Sequence, residues 1–354
     1  MTLSAPETRY RVETRTRTSA IAGLVGIVLI ICLFALPAFA SRGLIQDLFF
    51  ILTMLTLAQF WNLLAGYGGL VSVGQQAFVG IGAYALFGAV ILWGLDPVPA
   101  ILLGGLAALA LAVPFGFFAF RLQGAYFAIG TWVLAEVARL VVAQWRAVGG
   151  GTGRPLPRSA TENIIFTQQI AALFDVRAAA ARDILAILAI GGIYWLLRSK
   201  RGLALAAVRD NPQAARSVGT SAQRVKWFVF LTAALGTGLT GALIYMQKAR
   251  ISPDAAFSLN DWTAYVIFIV VIGGIGTIEG PIVGVLIFFL LQTLLAQYGA
   301  WYLMILGLIG IGVMLLAPRG LWGSFSDRTG IQLFPVRRRL IGAPVSTKTP
   351  SREE

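Results

Sequence analysis

Long apolar runs recur along most of this 354-residue chain and limit what it can fold into. A helix needs about 20 predominantly apolar residues to cross a lipid bilayer. The chain is 58% hydrophobic and 12% charged, whereas soluble domains carry about 25% charged residues. Too few polar residues remain to cover a soluble fold of this size. The sequence therefore predicts an all-α, polytopic integral membrane protein.

Ten apolar segments are candidate membrane spans, and because several are short or interrupted by glycine, we predict about ten helices, within a range of 8–10. A secretory signal peptide is the alternative interpretation of the first segment, but that segment covers about 33 Å as a helix and leads into further spans. The ten candidate spans are 19–40, 44–65, 76–94, 98–120, 126–148, 183–197, 227–247, 262–277, 281–297 and 301–317.

The net charge of +13 comes from basic residues grouped at the ends of the apolar segments. Segment 198–226 holds seven basic residues, as does the tail after residue 317. Since Lys and Arg mark cytoplasmic loops, an even number of spans places both clusters and the N-terminus in the cytoplasm. Loop 149–182 then lies outside the cell. A nucleic-acid partner is not predicted, because its basic face would also carry polar or aromatic groups that contact bases.

This charge pattern predicts four parts of the chain. Residues 1–18 form a cytoplasmic N-terminal tail, and residues 19–318 form the transmembrane domain. That domain contains a cytoplasmic loop at 199–226. Residues 319–354 form a basic cytoplasmic tail rich in Pro, Ser, Thr and Arg, for which we predict disorder. The tail either binds anionic membrane lipid or serves only as a topology signal.

The residues needed for most enzymatic chemistry are missing from the sequence. It contains no histidine and a single cysteine, Cys32, so zinc sites, iron–sulfur sites and histidine-based triads lack ligands or bases. It also lacks the Gly-x-x-x-x-Gly-Lys-Ser/Thr loop that binds nucleotide phosphates. We therefore predict that the chain is not an enzyme and has no metal or cofactor of its own.

Two glycine-rich segments, 66–78 and 273–281, interrupt apolar runs in the two halves of the chain. Irregular backbone at membrane depth is tolerated where it is buried in protein or lines a water-filled cavity, and broken helices are typical of transport pathways. The alternative is a cytoplasmic turn combined with small-residue helix packing. Their positions also suggest a duplication with five helices per half. The candidate pathway residues are Gly66, Gly69, Ser72, Gly74, Gln75, Gln76, Gly273, Gly274, Gly276 and Thr277.

The cytoplasmic loop contains the signals of a short, capped helix. Asn211 is a good N-cap, Pro212 suits the first helical position, and Gly219 suits the position after the helix end. A short helix with a small-residue surface suits docking to a cytoplasmic partner, although a basic loop that only sets topology is the alternative. The candidate coupling residues are Gly202, Ala206, Arg209, Asp210, Asn211, Ala214, Ala215 and Gly219.

The order of these motifs resembles the branched-chain amino-acid (LivM-like) ABC permease family over about residues 44–324. The family's stem and coupling helix match 202–219, and its glycine signature matches 66–78. Further matches are the Arg-Leu-Gln-Gly-Ala-Tyr-Phe-Ala stretch that begins at Arg121, Ile-Ser-Pro at 251–253, 273–281, and Ala-Pro-Arg-Gly-Leu at 317–321.

The resemblance implies a multi-pass permease subunit of an importer in the bacterial inner (plasma) membrane. It implies a second homologous permease, as a heterodimer, two cytoplasmic ATP-binding cassette subunits that bind the ATP, and an extracytoplasmic substrate-binding protein. The implied substrates are branched-chain or related hydrophobic amino acids. The alternatives are a urea or short-amide permease of the same family, or a secondary amino-acid transporter coupled to an ion.

Glu136 lies in the middle of span 126–148, and Arg139 follows on the same helical face. An ionisable residue within a span normally faces a cavity or a partner. Glu136 is therefore either a candidate pathway residue that meets a substrate ammonium group, or half of a structural pair with Arg139. Asp47 and Gln59 in the second span are lesser candidates.

Overall fold

The structure is a computed structural model, and it describes residues 11–13, 17–36, 39, 41–157, 168–217, 219–299, 301–331, 333–335 and 339–341. Predictions for residues 1–10, 158–167 and 342–354 lie outside the described residues. The described chain is almost entirely helical, which confirms the all-α, polytopic prediction. Its helices are α1 Arg17–Ala35, α2 Arg42–Asn62, α3 Gln75–Trp93, α4 Pro97–Ala119, α5 Ala125–Ala143, α6 Gln168–Arg198, α7 Lys200–Asp210, α8 Pro212–Ser217, α9 Ala222–Lys248, α10 Pro253–Ala256, α11 Tyr265–Gly273, α12 Glu279–Leu295, α13 Trp301–Leu316 and α14 Gly320–Thr329.

Within the described residues, seven helical stretches are long and apolar enough to cross a membrane. Two shorter apolar helices, Gly23–Leu33 and Glu279–Leu295, add to them. Together with α6 these account for the ten crossings expected from the sequence, although the count itself stays a prediction. The seven stretches are Gly43–Tyr67, Gln75–Trp93, Pro97–Ala119, Ala125–Ala143, Ala222–Lys248, Pro253–Gly273 and Trp301–Thr329.

Most helices begin and end within a few residues of the predicted spans, and α6 is the main exception. It begins at Gln168, well before the expected start at residue 183. The preceding stretch carries charges that lower its hydropathy, but it also contains the alanine run 178–181, and alanine has the highest helix propensity. Hydropathy therefore located the apolar part of α6 and missed its N-terminal extension.

Short β-pairs join distant parts of the chain. Strand β2 Arg154–Pro155 pairs antiparallel with β3 Arg250–Ile251, which links the segment after α5 to the turn after α9. Strand β1 Arg11–Glu13 pairs antiparallel with β4 Arg339–Ile341. The second pair brings the two ends of the described chain together.

Part of the predicted disordered tail is helical instead. Residues 320–329 form α14, which follows directly on α13. Gly320, with a φ of +74°, packs so closely on Gly274 that a Cβ there would lie 2.4 Å from the Gly274 Cα. Glu279, at the start of α12, accepts backbone N–H groups of Leu333 (3.1 Å) and Phe334 (2.8 Å). Composition suggested disorder at 320–329, but backbone contact with the second glycine-rich segment orders this stretch.

Glycines allow the central helices α3, α4 and α9 to pack with their backbones in contact. A Cβ on Gly82 of α3 would lie 2.1 Å from the Gly238 carbonyl oxygen of α9, and one on Gly241 would lie 2.3 Å from that of Val79. A Cβ on Gly104 of α4 would lie 2.7 Å from the Gly82 oxygen. Because lipid offers no hydrophobic drive for helix association, such close van der Waals packing stabilises the bundle.

We predict that Gly241→Ala destabilises the bundle, because the new methyl group must push α9 away from α3. Overpacking of this kind costs about 1–3 kcal/mol. Gly307→Ala on α13 is the matched control, since a Cβ there meets nothing within 4 Å. Thermal denaturation in detergent, followed by size-exclusion chromatography, should show a lower midpoint for Gly241→Ala alone. Equal midpoints for both variants would contradict the packing argument.

Candidate functional site

The first glycine-rich segment begins in a helical turn that directly continues α2. The last helical turn, Leu63–Tyr67, has π-helical hydrogen bonding, and irregular backbone continues until α3 starts at Gln75. A Cβ on Gly66 would lie 2.6 Å from the Gly276 nitrogen, and one on Gly74 would lie 2.3 Å from the Thr131 carbonyl oxygen. Glycine at these two positions lets the break contact both the second glycine-rich segment and α5.

The second glycine-rich segment connects α11, which ends at Gly273, to α12. Gly274 and Gly276 have φ angles of +134° and +77°, values that side chains rarely permit. The Thr277 hydroxyl donates to the Gly274 carbonyl oxygen at 2.8 Å and accepts the Gly280 N–H at 3.0 Å. This threonine therefore holds the turn in one conformation.

Two polar side chains of α2 bind the second glycine-rich segment directly. The Asn62 amide donates to the Thr277 carbonyl oxygen at 2.7 Å and accepts the Gly276 N–H at 2.8 Å. The Gln59 amide donates to the Ile278 carbonyl oxygen at 2.8 Å. Both side chains are fully buried. Sequence reasoning missed Asn62 and ranked Gln59 low, although an amide within an apolar span is a signal for such a role.

The polar residues predicted after the first break are packed inside the bundle. Ser72, Gln75 and Gln76 are all buried. The Gln75 amide nitrogen donates to the Leu57 carbonyl oxygen at 3.0 Å, and the Thr263 hydroxyl donates to the side-chain oxygen of Gln76. The Gln75 side-chain oxygen has no hydrogen-bond partner in the described structure. These groups tie α2, α3 and the helical turn that precedes α11 together.

The predicted cytoplasmic helix has the expected caps. The Asn211 side-chain oxygen accepts the N–H groups of Gln213 and Ala214, both at 3.0 Å, and α8 follows. Gly219 has a φ of +82°, and the Thr220 N–H bonds to the Ala215 carbonyl oxygen at 2.9 Å. Local sequence signals alone therefore define this short helix.

The prediction that Ala215 belongs to the docking surface is wrong. Its side chain is buried in a small cluster with Val208 and Ala222, so it faces the protein and not the surrounding solution. Ala214 is exposed. The sequence identified the small residues of α8 but not which of them faces inward, because the direction depends on how α8 packs on α7 and α9.

The other predicted coupling residues lie on α7, where Gly202 has a packing role. A Cβ on Gly202 would lie 2.1 Å from the Leu197 carbonyl oxygen, so the sharp corner between α6 and α7 requires glycine. Ala206 and Asp210 are exposed, and Asp210 pairs with the Arg209 Nε at 3.2 Å. The close contact of Gly202 with Leu197 therefore fixes the direction of α7 relative to α6.

Arg209 connects α7 to the first glycine-rich segment. Its Nη1 donates to the Gly66 carbonyl oxygen at 3.1 Å. The same nitrogen would lie 3.7 Å from a Cβ on Gly276. The structure thus brings Arg209, Gly66 and Gly276 together with Asn62, and we call these four residues the joint.

A cleft of about 740 Å³ lies beside α8. Four segments line it: residues 69–71 of the first glycine-rich segment, the turn before α5 with the first residues of that helix, Asn211 with α8, and Lys226 of α9. Its described lining includes the cations of Arg216 and Lys226 and no carboxylate. Gly69 and Asn211 both border the cleft, so the predicted pathway and the predicted coupling segment share this surface.

Glu136 lies on α5 and is paired with Arg139, with a carboxylate oxygen 2.5 Å from the guanidinium. Arg139 also contacts Asp254 of α10 at 2.6 Å, a partner that the sequence did not reveal. Glu136 is therefore not joined to the two glycine-rich segments. Within the described residues, no group of three or more His, Cys, Asp or Glu could hold a metal ion.

Comparisons with known proteins identify the family. Residues 43–317 match the profile of the family described as branched-chain amino acid transport system / permease component. The chain is 26% identical over 314 residues to the high-affinity branched-chain amino acid transport system permease protein LivM of Escherichia coli strain K12, covering 83% of this chain and 73% of that relative. LivM of Salmonella typhimurium gives the same identity and coverage.

A shorter match is the probable branched-chain amino acid transport permease protein LivH of Methanocaldococcus jannaschii. It is 29% identical over 148 residues, which cover 39% of this chain and 45% of that relative. No solved structure gives a significant match. The family profile spans well over half of the chain and coincides with the helical bundle described above. The chain therefore belongs to the permease component family of branched-chain amino acid transport systems, as a multi-pass inner-membrane permease and not an enzyme.

Proposed function

We propose that the chain translocates branched-chain or related hydrophobic amino acids by alternating access, driven by two ATP-binding cassette subunits that dock on α8. A second homologous permease and an extracytoplasmic binding protein complete the proposed importer. The family and the names of the relatives support this substrate class. The chain itself has no phosphate-binding loop, so ATP-driven transport requires ATPase subunits other than this chain.

The contact between Arg209 and Gly66 carries the proposal. A motor that binds outside the membrane must transmit movement to the transport pathway through a physical contact. Arg209 lies in the last turn of α7, next to the docking helix α8, and its guanidinium donates to a backbone carbonyl of the first glycine-rich segment. A displacement of α8 and α7 therefore acts on Gly66 and, through Asn62, on the second segment.

The cleft beside α8 is the proposed cytoplasmic exit. It lies where the first glycine-rich segment meets the docking helix, so a movement of α8 changes its walls directly. The cations of Arg216 and Lys226 suit the carboxylate of a departing amino acid. The backbone of residues 69–71 adds polar groups without side-chain bulk at Gly69.

Three carboxylates of the helices have partners within the protein, which favours this mechanism over ion-coupled transport. A secondary transporter uses intramembrane carboxylates to bind its coupling ion. Here Glu136 pairs with Arg139, and Asp183 pairs with Arg182 at 2.7 Å. Glu279 accepts two backbone N–H groups of the C-terminal segment. Each of these three carboxylates thus has at least one partner within the protein, while the buried Oδ2 of Asp183 has none in the described structure.

Ala214→Asp should abolish binding of the partner ATPases, because it places a charge on the exposed face of α8. An acidic residue in the first turn of a helix is favourable, so the fold of α8 itself should not suffer. Ala147→Asp is the control, as an exposed alanine on the predicted outer side. Co-purification from membranes measures the association. Normal ATPase binding by Ala214→Asp would contradict the docking assignment.

Arg209→Gln should uncouple ATP hydrolysis from transport. The variant keeps the α8 surface but loses a charged hydrogen bond worth about 1.5–3 kcal/mol, so we expect uptake per ATP to fall by about tenfold or more. Arg224→Gln, which removes an exposed cation from the same side, is the matched control. Uptake and hydrolysis are measured together in proteoliposomes. An unchanged uptake-to-hydrolysis ratio in Arg209→Gln would contradict the proposal that the Arg209–Gly66 contact couples hydrolysis to transport.

A further inference from the structure

Two buried tyrosines of the central helices have hydroxyl groups that make no hydrogen bond. Tyr84 of α3 and Tyr245 of α9 are each 1% exposed, and neither hydroxyl has a hydrogen-bond partner in the described structure. Burying a hydroxyl without a partner costs free energy, so native proteins keep few such groups. Neither the joint nor the cytoplasmic cleft involves these two side chains. Their hydroxyls therefore call for a role that this conformation does not use.

Both tyrosines border one crevice between α3 and α9. These two helices are in backbone contact, and the two tyrosine side chains are close enough to interact electrostatically. The Tyr84 ring packs on Phe257, with 6.2 Å between the ring centroids. The Tyr245 ring packs edge-on against Trp262, with 6.1 Å between the centroids. The segment 257–262 thus covers both tyrosines.

The covering segment is irregular, whereas the helices on either side of it are regular. Phe257 and Trp262 are each 4% exposed, so the segment is well packed in this conformation. The Trp262 indole N–H donates to the Ala255 carbonyl oxygen at 2.8 Å. Residues Asn260–Ala264 form a π-helical turn, a conformation that is frequent at functional sites. The crevice is therefore closed by backbone of a kind that often serves a function.

Charges of both signs lie at this segment. The Lys248 Nζ is 4.7 Å from the centroid of the Trp262 ring and 5.3 Å from that of the Tyr245 ring. Asp261, next to Trp262 in the chain, interacts electrostatically with Lys248. Strand β3, on the predicted outer side, follows directly after α9. A free amino acid carries one carboxylate and one ammonium group, so a cation close to an anion matches its charges.

We propose that Tyr84 and Tyr245 bind the carboxylate of the transported amino acid in the outer half of the pathway. This proposal rests on the proposed function and adds a substrate contact on the side away from the cytoplasmic cleft. In the outward-facing conformation, segment 257–262 moves off the two rings. Lys248 then attracts the carboxylate, and the two tyrosine hydroxyls donate hydrogen bonds to it. Each hydroxyl thereby gains the partner that it lacks in this conformation.

Tyr84→Phe and Tyr245→Phe, singly and together, test this role because each removes only a hydroxyl. The thermal midpoint in detergent should stay equal or rise, since the lost hydroxyl has no partner in the described structure. Leucine uptake is measured in proteoliposomes that hold the complete transporter, with internal ATP and saturating binding protein outside. Uptake by the double variant should fall by about tenfold or more, as expected when hydrogen bonds to a charged group are lost.

Tyr302→Phe is the matched control. The Tyr302 hydroxyl is also buried without a partner in the described structure, but it lies on α13, outside the crevice. This variant should match the others in thermal midpoint and keep full uptake. Loss of uptake in Tyr302→Phe as large as in the double variant would overturn the assignment. A lowered midpoint in Tyr84→Phe or Tyr245→Phe would also overturn it, because the hydroxyl would then have a structural partner.

Uptake by the unmodified chain separates this proposal from the proposed function. If the unmodified chain takes up leucine with ATP and the double variant does so equally well, the tyrosine site is wrong and the proposed function stands. If the unmodified chain shows no ATP-driven uptake of leucine, the proposed function is wrong, and so is the substrate assigned to the two tyrosines.

Discussion

The rest of the site depends on the joint, where Arg209 and Asn62 bind the backbones of two glycine-rich segments. Neither segment can satisfy its own polar groups in a regular helix, so each needs hydrogen-bond partners elsewhere in the protein. Asn62 supplies both a donor and an acceptor to residues 276 and 277, and Arg209 supplies a charged donor to Gly66. The breaks are therefore held in one arrangement, but by a few side-chain contacts that a small displacement can change.

The central helices and the region around α8 differ in how tightly they are packed. Between α3, α4 and α9, backbone-to-backbone glycine contacts leave no room for a methyl group, so these helices form a rigid centre. Around α8 the chain relies on caps, one small buried cluster and the contact of Arg209. A displacement of α8 consequently changes the contacts of the joint more easily than those among the central helices. Coupling in a permease requires that the pathway contacts move while the rest of the bundle stays intact.

Hydropathy and local signals predicted most of the helices, the caps of α8 and the position of both breaks. They could do so because span length, N-capping and the positive φ of glycine are local properties of the chain. The direction of Ala215, the contact of Asp254 with Arg139 and the role of Asn62 depend on which helices meet. Helices α6 and α14 were underestimated because charge lowered their hydropathy, while helix propensity and a glycine contact with the second break ordered them.

The central claim is that the chain supplies the transport pathway but no energy, and that ATPase subunits drive transport through their contact with α8. Its most direct test is leucine uptake into proteoliposomes that hold the chain with its permease and ATPase partners, with binding protein outside and either ATP or an ion gradient as the energy source. The account predicts uptake with internal ATP and none with a Na⁺ or pH gradient alone. Uptake driven by either gradient without ATP would contradict it.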